Sequence, residues 1–162
     1  MPANRTAEFN MKPIPPERGQ LQATGQDGNT VAYEFVCEQD THLSGDGYDT
    51  MTKWCFLIVI EQDIFQFDLV DEGSFMRVEM MNRNGCERYK ARGITEAFIR
   101  LSHQIFGVPI CSSVRAEPQS TSSSLTTVEE QHSDDARKVW QRLVASNEAC
   151  YDDDKKRFVY PK

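Results

Sequence analysis

Four cations, Arg83, Arg88, Lys90 and Arg92, crowd the stretch from Arg83 to Thr95 against a single acid, Glu87, in a chain whose formal net charge is −7. The stretch runs from a strand-like segment into a helix-like one. A helix N-terminus presents unpaired backbone N–H groups and the positive end of the helix dipole, which suit a phosphate. Flanking guanidinium and ammonium groups add charge-assisted hydrogen bonds. Gly93 has no Cβ and allows a ligand to approach the backbone closely. The chemistry this pattern supports is the holding of an anionic cofactor through Arg88, Lys90, Arg92, Gly93, Ile94 and Thr95. The plainer reading is a solvated basic loop that caps a helix.

Other reactive side chains have weaker claims. Cys86 lies in the basic loop, where neighbouring cations would lower a thiol pKa, but no histidine is near in sequence to act as its base. His103 falls beside Ser102, off the apolar stripe of its segment, and reads as solvent-facing. Asp152, Asp153 and Asp154, followed by Lys155 and Lys156, read as an exposed hairpin turn rather than a metal site. The five cysteines and three histidines show no CxxC or HxxxH pair, so no zinc site is expected. Cys55 and Cys111 sit in apolar runs and read as small buried hydrophobes.

Composition bounds the rest. At 162 residues, 39% hydrophobic and 27% charged, the chain fits one domain with a sizeable core. Its acidity argues against nucleic-acid binding, which draws its affinity from Lys and Arg. The longest apolar run, Trp54 to Ile60, is too short to cross a membrane, and no apolar signal core is seen at the N-terminus. An odd number of scattered cysteines fits a reducing compartment, so the expectation is a cytoplasmic protein, monomer or homodimer.

The elements that must position the basic loop follow from periodicity. Residues 1 to 18 carry four prolines and read as a flexible arm. Val31, Tyr33, Phe35 and Cys37 recur at strand spacing, and a turn-rich loop follows at Ser44 to Asp49. Lys53 to Ile60 is an almost unbroken β-prone run, which predicts a strand covered on both faces. Phe65, Phe67 and Leu69 alternate with polar residues. Phe75 to Asn82 reads as a further strand, with Met76, Val78 and Met80 on one face and Arg77 and Glu79 on the other. From 94 to 106 the period becomes helical, with Ile94, Phe98, Leu101 and Ile105 on one stripe and Gly107 as the stop. Val108 to Val114 reads as a buried strand, 115 to 133 as a long polar loop, and Ser133 or Asp134 as the cap of a helix over 135 to 146. Trp140 and Leu143 fall on the apolar stripe of that helix, and Arg157 to Tyr160 reads as a closing strand. The fold class is α/β of the α+β type: a mixed, mainly antiparallel twisted sheet flanked by helices in one domain, 19 to 162.

The frame Lys90-Ala-Arg-Gly93-Ile-Thr95, at the junction of a strand and a helix, resembles the acyl-CoA site of the GNAT superfamily of N-acyltransferases. In that family a Gln/Arg-x-x-Gly-x-Gly/Ala signature holds the pyrophosphate of coenzyme A. Lys90 stands for the usual Gln or Arg, and Thr95 for the second small residue. The segment Ser133-Asp-Asp-Ala136-Arg-Lys-Val139-Trp140 is similar to the family's Asn-x-x-Ala-x-x-Leu-Tyr pattern, with Trp140 where a tyrosine often serves as general acid.

The resemblance implies a GNAT-like fold that binds acetyl-CoA or another acyl-CoA as co-substrate and transfers the acyl group to an amine on a small molecule or peptide. It also implies a splayed strand, with Met81 in the Met80 to Arg83 region against the acyl-CoA and a backbone N–H for the thioester oxygen. Glu79, as the carboxylate on that strand, is the expected catalytic base; otherwise it is an ordinary partner of Arg77 or another cation. An indole N–H cannot protonate a leaving thiolate, so Tyr151 or Tyr89 is the expected substitute acid. No metal is implied. Two alternatives stay open: a non-catalytic GNAT-fold binding or interaction module, and an unrelated α/β fold.

Overall fold

A computed structural model of the protein describes residues 12–43, 50–113 and 128–162, with side chains for all of these but 42–43, 50 and 128–133. Among the described residues, eight strands and two α-helices follow one another as β1 Arg18–Thr24, β2 Thr30–Leu43, β3 Thr50–Ile60, β4 Asp63–Asp71, β5 Met76–Asn82, α1 Ile94–Phe106, β6 Ile110–Cys111, α2 Val128–Ala145, β7 Cys150–Asp152 and β8 Arg157–Tyr160. All eight strands form one sheet in the order β1-β2-β3-β4-β5-β6-β8-β7. The first five are joined as antiparallel neighbours. Helix α1 then carries the chain over to β6, which pairs parallel with β5. The architecture is therefore α+β, with a mixed and mostly antiparallel sheet.

Strand alternation builds the core. Tyr33, Phe35 and Cys37 of β2, Trp54, Phe56 and Ile58 of β3, and Phe65, Phe67 and Leu69 of β4 are buried on the face that α1 covers. Phe98 of α1 sits at the centre of this layer, its ring stacked on Phe67 at 5.3 Å and edged by Phe35 at 5.8 Å. Helix α2 extends the same core, with Trp140 stacked on Phe158 of β8 at 5.9 Å and Leu143 buried beside it.

Several expectations are corrected. Strand β3 is not covered on both faces: Val59 is 54% exposed on the face opposite α1, because both helices draw on one core while β3 has helix cover on one side. In α1, Leu101 and Ile105 are only partly buried, whereas Ile99, Ser102 and Phe106 are sealed; contact with both the sheet and α2 rotates the buried stripe. Strand β6 shrinks to Ile110–Cys111. Helix α2 is described from Val128 onward, so Ser133 and Asp134 lie inside it rather than capping it.

Strand β1 falls where the periodicity reading has no element, although Leu21 and Ala23 alternate with polar residues ahead of an Asp27-Gly28 turn, a hairpin signal. Of the proline-rich arm, residues 12–17 are described, with Lys12 paired to Asp71 and Pro15 buried. The Ser44–Asp49 turn formers and residues 114–127 of the polar loop lie outside the described residues. Among the described residues, no helix is long and apolar enough to cross a membrane.

Candidate functional site at the β5–α1 junction

Strand β5 is irregular where the resemblance places chemistry. Val78 pairs with Leu69 of β4, but the next pair is Met80 with Asp68. Glu79 is thus an extra residue, a β-bulge on β5. Past a bulge, alternation is reset by one residue and the side chains exchange faces. Met80, expected beside Met76 and Val78, is accordingly turned to the opposite face and is 39% exposed. Met81 pairs with Phe67 instead and comes to the α1 side. Strand β5 meets β6 only at Met76–Arg77, so from Val78 onward the two strands part.

A cleft of about 710 Å³ opens there. Its walls come from the end of β5, the loop after it, the first turn of α1 and the facing side of α2. Met81, Lys90, Arg92, Gly93, Ile94 and Thr95 all line it. Cations gather on the loop side, at Arg83, Lys90 and Arg92, with Lys138 contributed by α2. Acids stand opposite, at Asp134 and Asp135.

Helix α1 has no side-chain cap. Its N-cap is Gly93, with φ at +69°, and no hydroxyl or carboxylate hydrogen-bonds the first-turn amides from that position. Gly93 is required for a reason other than the one expected. A Cβ there would lie 2.1 Å from the carbonyl oxygen of Thr24, at the end of β1. The residue therefore lets the junction pack against the β1–β2 hairpin, and its left-handed φ strains any side chain as well. The hairpin turn is tied down nearby, with the Gln26 N–H donating to the Ala91 carbonyl at 3.0 Å. Glu96 completes the first turn. It is buried and accepts a 2.6 Å hydrogen bond from Arg142 of α2, which clasps the two helices together.

The cations differ in their availability. Arg88 does not line the cleft; it binds Asp63 at 3.1 Å and the Ile60 carbonyl at 3.3 Å, which fastens the β3–β4 turn. It is removed from the anion site, because β3 and β4 bring acids to it that are remote in sequence. Arg92 lines the cleft and also reaches Asp27 at 3.5 Å. Lys90 is 59% exposed, with Glu87 at 3.6 Å. Both of these last pairs are solvated and hold their cations weakly.

The acid–base candidates are scattered. Glu79 lies outside the cleft, on the opposite face of the sheet, with Lys53 Nζ at 3.2 Å; Arg77, its expected partner, is bound to Glu72. Tyr151 is on β7 with its ring edge-on to Phe158 at 4.9 Å and does not line the cleft. Tyr89 does line it, but its hydroxyl donates to the Asp63 carbonyl at 2.7 Å, and burial pushes its pKa up. Cys86 is not activated as its neighbours suggested. Partial burial and then the Asp63 carboxylate, 3.3 Å from its Sγ, push its thiol pKa up. His103 is half-buried against Tyr160, with Nδ1 2.9 Å from the Val108 carbonyl, because the chain folds back over it after Gly107.

The charged and polar cleft residues that sequence reasoning misses include Gln26, Glu96, Asp134, Asp135, Lys138 and Arg142. Glu96 carries a readable signal, an acid in a helix's first turn. The others reach the cleft only through tertiary contacts. No family model, no curated protein and no solved structure matches the chain.

Proposed function

We propose that the chain is an acyl-CoA-dependent N-acyltransferase of the GNAT type, transferring an acetyl or similar group to an amine. The observation that carries this reading is the coincidence at one place of three features. A bulged β5 parts from β6, an uncapped α1 N-terminus opens beside the parting, and loop cations line the cleft between them. The amides of Ile94 and Thr95, with Lys90 and Arg92, suit a pyrophosphate. The cleft volume falls within the range of small-molecule and cofactor sites, about 300–1,000 Å³.

In this reading the acyl-CoA enters from the cleft and the amine from the opposite face, where Glu79 stands beside the parting strands. The amine nitrogen attacks the thioester carbonyl carbon. A C–N bond forms, the C–S bond breaks, the amine proton passes to the Glu79 carboxylate directly or through a water, and the departing thiolate takes a proton from solvent. Alignment supplies much of the acceleration, and a β5 backbone N–H freed by the bulge polarises the thioester oxygen. Five free cysteines accord with a cytoplasmic setting.

A second reading, a non-catalytic acyl-CoA-binding module, is favoured by one observation. Trp140 is 1% exposed within the core, and among the described residues no phenol that lines the cleft has a hydroxyl free to act as acid. The test is thermal denaturation with acetyl-CoA, then assay of free CoA with a polyamine, a lysine peptide and a peptide N-terminus. A hundredfold excess over Kd stabilises the fold by about 2.7 kcal/mol. The transferase reading expects both the stabilisation and amine-dependent CoA release. Stabilisation without release selects the binding module, and neither effect removes acyl-CoA altogether.

A further inference from the structure

Among the described residues, the buried polar and charged side chains are Asp68, Thr95, Glu96, Ser102 and Ser112. A buried polar group is normally held by a partner that replaces its lost water. All of these but Thr95 have one within the fold. Lys53 Nζ and the Gln66 amide reach Asp68 at 2.9 and 3.0 Å, and Arg142 reaches Glu96 at 2.6 Å. The Ser102 hydroxyl donates to the Phe98 carbonyl at 2.6 Å, and the Ser112 hydroxyl accepts the Phe158 N–H at 2.9 Å. Thr95 is only 9% exposed and lines the cleft, and among the described residues its hydroxyl has no hydrogen-bond partner. The oxygen is not sealed from solvent either, so the little exposure that it keeps is toward the cleft.

The position of Thr95 in α1 explains why the fold leaves it unpaired. A hydroxyl inside a helix turns back to a carbonyl three or four residues earlier, as Ser102 does. Four residues before Thr95 the chain is outside the helix, and the Ala91 carbonyl there accepts the Gln26 N–H instead. Thr95 stands in the first turn, next to backbone N–H groups that have no acceptor within the helix and no side-chain cap. Lys90 and Arg92 line the same cleft. These neighbours are all donors, so the group that completes them is an acceptor, and the helix dipole and the cations favour a negative one. Of the nearby acids, Glu96 is already paired with Arg142, and Asp135 lies across the cleft on α2 with Lys138 at 3.8 Å, next to Asp134.

We propose that Thr95 is a ligand-binding residue whose hydroxyl donates a hydrogen bond to a pyrophosphate oxygen at the α1 N-terminus. The inference rests on the reading of the cleft as an acyl-CoA site and adds a side chain to it. The resemblance to the GNAT signature asks only for a small residue at this position, and the hydroxyl is this chain's own. Acyl-CoA and a free nucleoside diphosphate both carry a pyrophosphate, and the contact is to that shared group. A hydroxyl that serves the ligand and not the fold can be removed without loss of stability, whereas Ser102 and Ser112 cannot be treated so.

The test compares wild type with Thr95→Val, which keeps the branched shape and removes the hydroxyl, and Thr95→Ser, which keeps the hydroxyl. Calorimetry gives Kd for acetyl-CoA, ADP and inorganic pyrophosphate, and thermal denaturation without ligand gives Tm. The expected Thr95→Val has a Tm no lower than wild type, because no hydrogen bond within the fold is lost. It binds each probe that wild type binds about 10- to 100-fold more weakly, the range for a hydrogen bond to a charged group. Thr95→Ser recovers most of the affinity. Unchanged affinity in Thr95→Val overturns the contact. A lower Tm that accompanies the weaker binding overturns it as well, since the hydroxyl would then be serving the fold. If wild type binds ADP or pyrophosphate but not acetyl-CoA, the acyl-CoA reading falls and the Thr95 contact stands or falls on those two probes. If wild type binds none of the three, both fall.

Discussion

On the face that α1 covers, Phe35, Phe56, Phe65 and Phe67 close around Phe98, while two ion pairs of α1, Glu96 with Arg142 and Arg100 with Glu148, stand at the layer's margin. The opposite face mixes exposed Val59 and Ile64 with a charged row in which Lys53 bridges Asp68 and Glu79. Both faces belong to the same strands, so they share backbone, twist and register. What differs is the helix cover. An apolar layer gains stability from every ring it encloses, and its side chains are interchangeable only at a cost. A face without that cover tolerates charge and can use it for geometry. The contrast teaches that stability is concentrated on one side of this sheet and candidate chemistry at its split edge and on the other side.

The largest effect should come from breaking the covered face. Phe98→Ala removes a fully buried ring from the centre of the aromatic layer, and a loss of about 3–5 kcal/mol is expected in urea denaturation. A loss under about 1 kcal/mol would mean that α1 is not the keystone of that face. A smaller, pH-dependent effect tests its margin. The Arg100 guanidinium, bonded to Glu148 at 2.6 and 2.8 Å, holds the Glu148 carboxyl below its usual value of about 4.3. A carboxyl whose pKa is depressed by folding adds stability above its unfolded pKa, and that stability is lost as pH falls through the folded value. In Glu148→Gln the fall of Tm between about pH 5 and pH 3 should therefore be shallower than in wild type; an identical slope would show the pair to be inert. The smallest effect belongs to the open face. Val59→Thr keeps a β-branched residue at a site 54% exposed, and stability should stay within about 0.5 kcal/mol of wild type. A loss of about 2 kcal/mol there would mean that this face is covered after all.

Much of the fold is legible in the sequence, and unevenly. The elements from Tyr33 to Phe106 and the β7–β8 turn follow from period and turn chemistry, because those signals are local. At the junction, Lys90, Arg92, Gly93, Ile94 and Thr95 can be grouped from the sequence alone, since neighbours along the chain at the start of a helix lie close in space, whereas Met81 entered only through the family resemblance. Arg88 escapes that reasoning for the converse reason. Its fate depends on Glu61 and Asp63, which β3 and β4 bring to it across a long stretch of chain. Gly93 is a residue whose importance the sequence shows and whose reason it hides: the required neighbour is the Thr24 carbonyl, at the end of a strand that periodicity does not reveal.

The amino-acid sequence alone determined which segments alternate, which coil, and where a cluster of cations meets the start of a helix. These are one-dimensional properties, set by side-chain size, polarity and spacing within a few residues. Only the tertiary structure decided that β5 bulges at Glu79, that it parts from β6 after Arg77, and which cations are already paired. A bulge arises from fitting one strand's register to its neighbour's, and a salt bridge from two groups meeting across the fold. Neither can be read from either partner by itself.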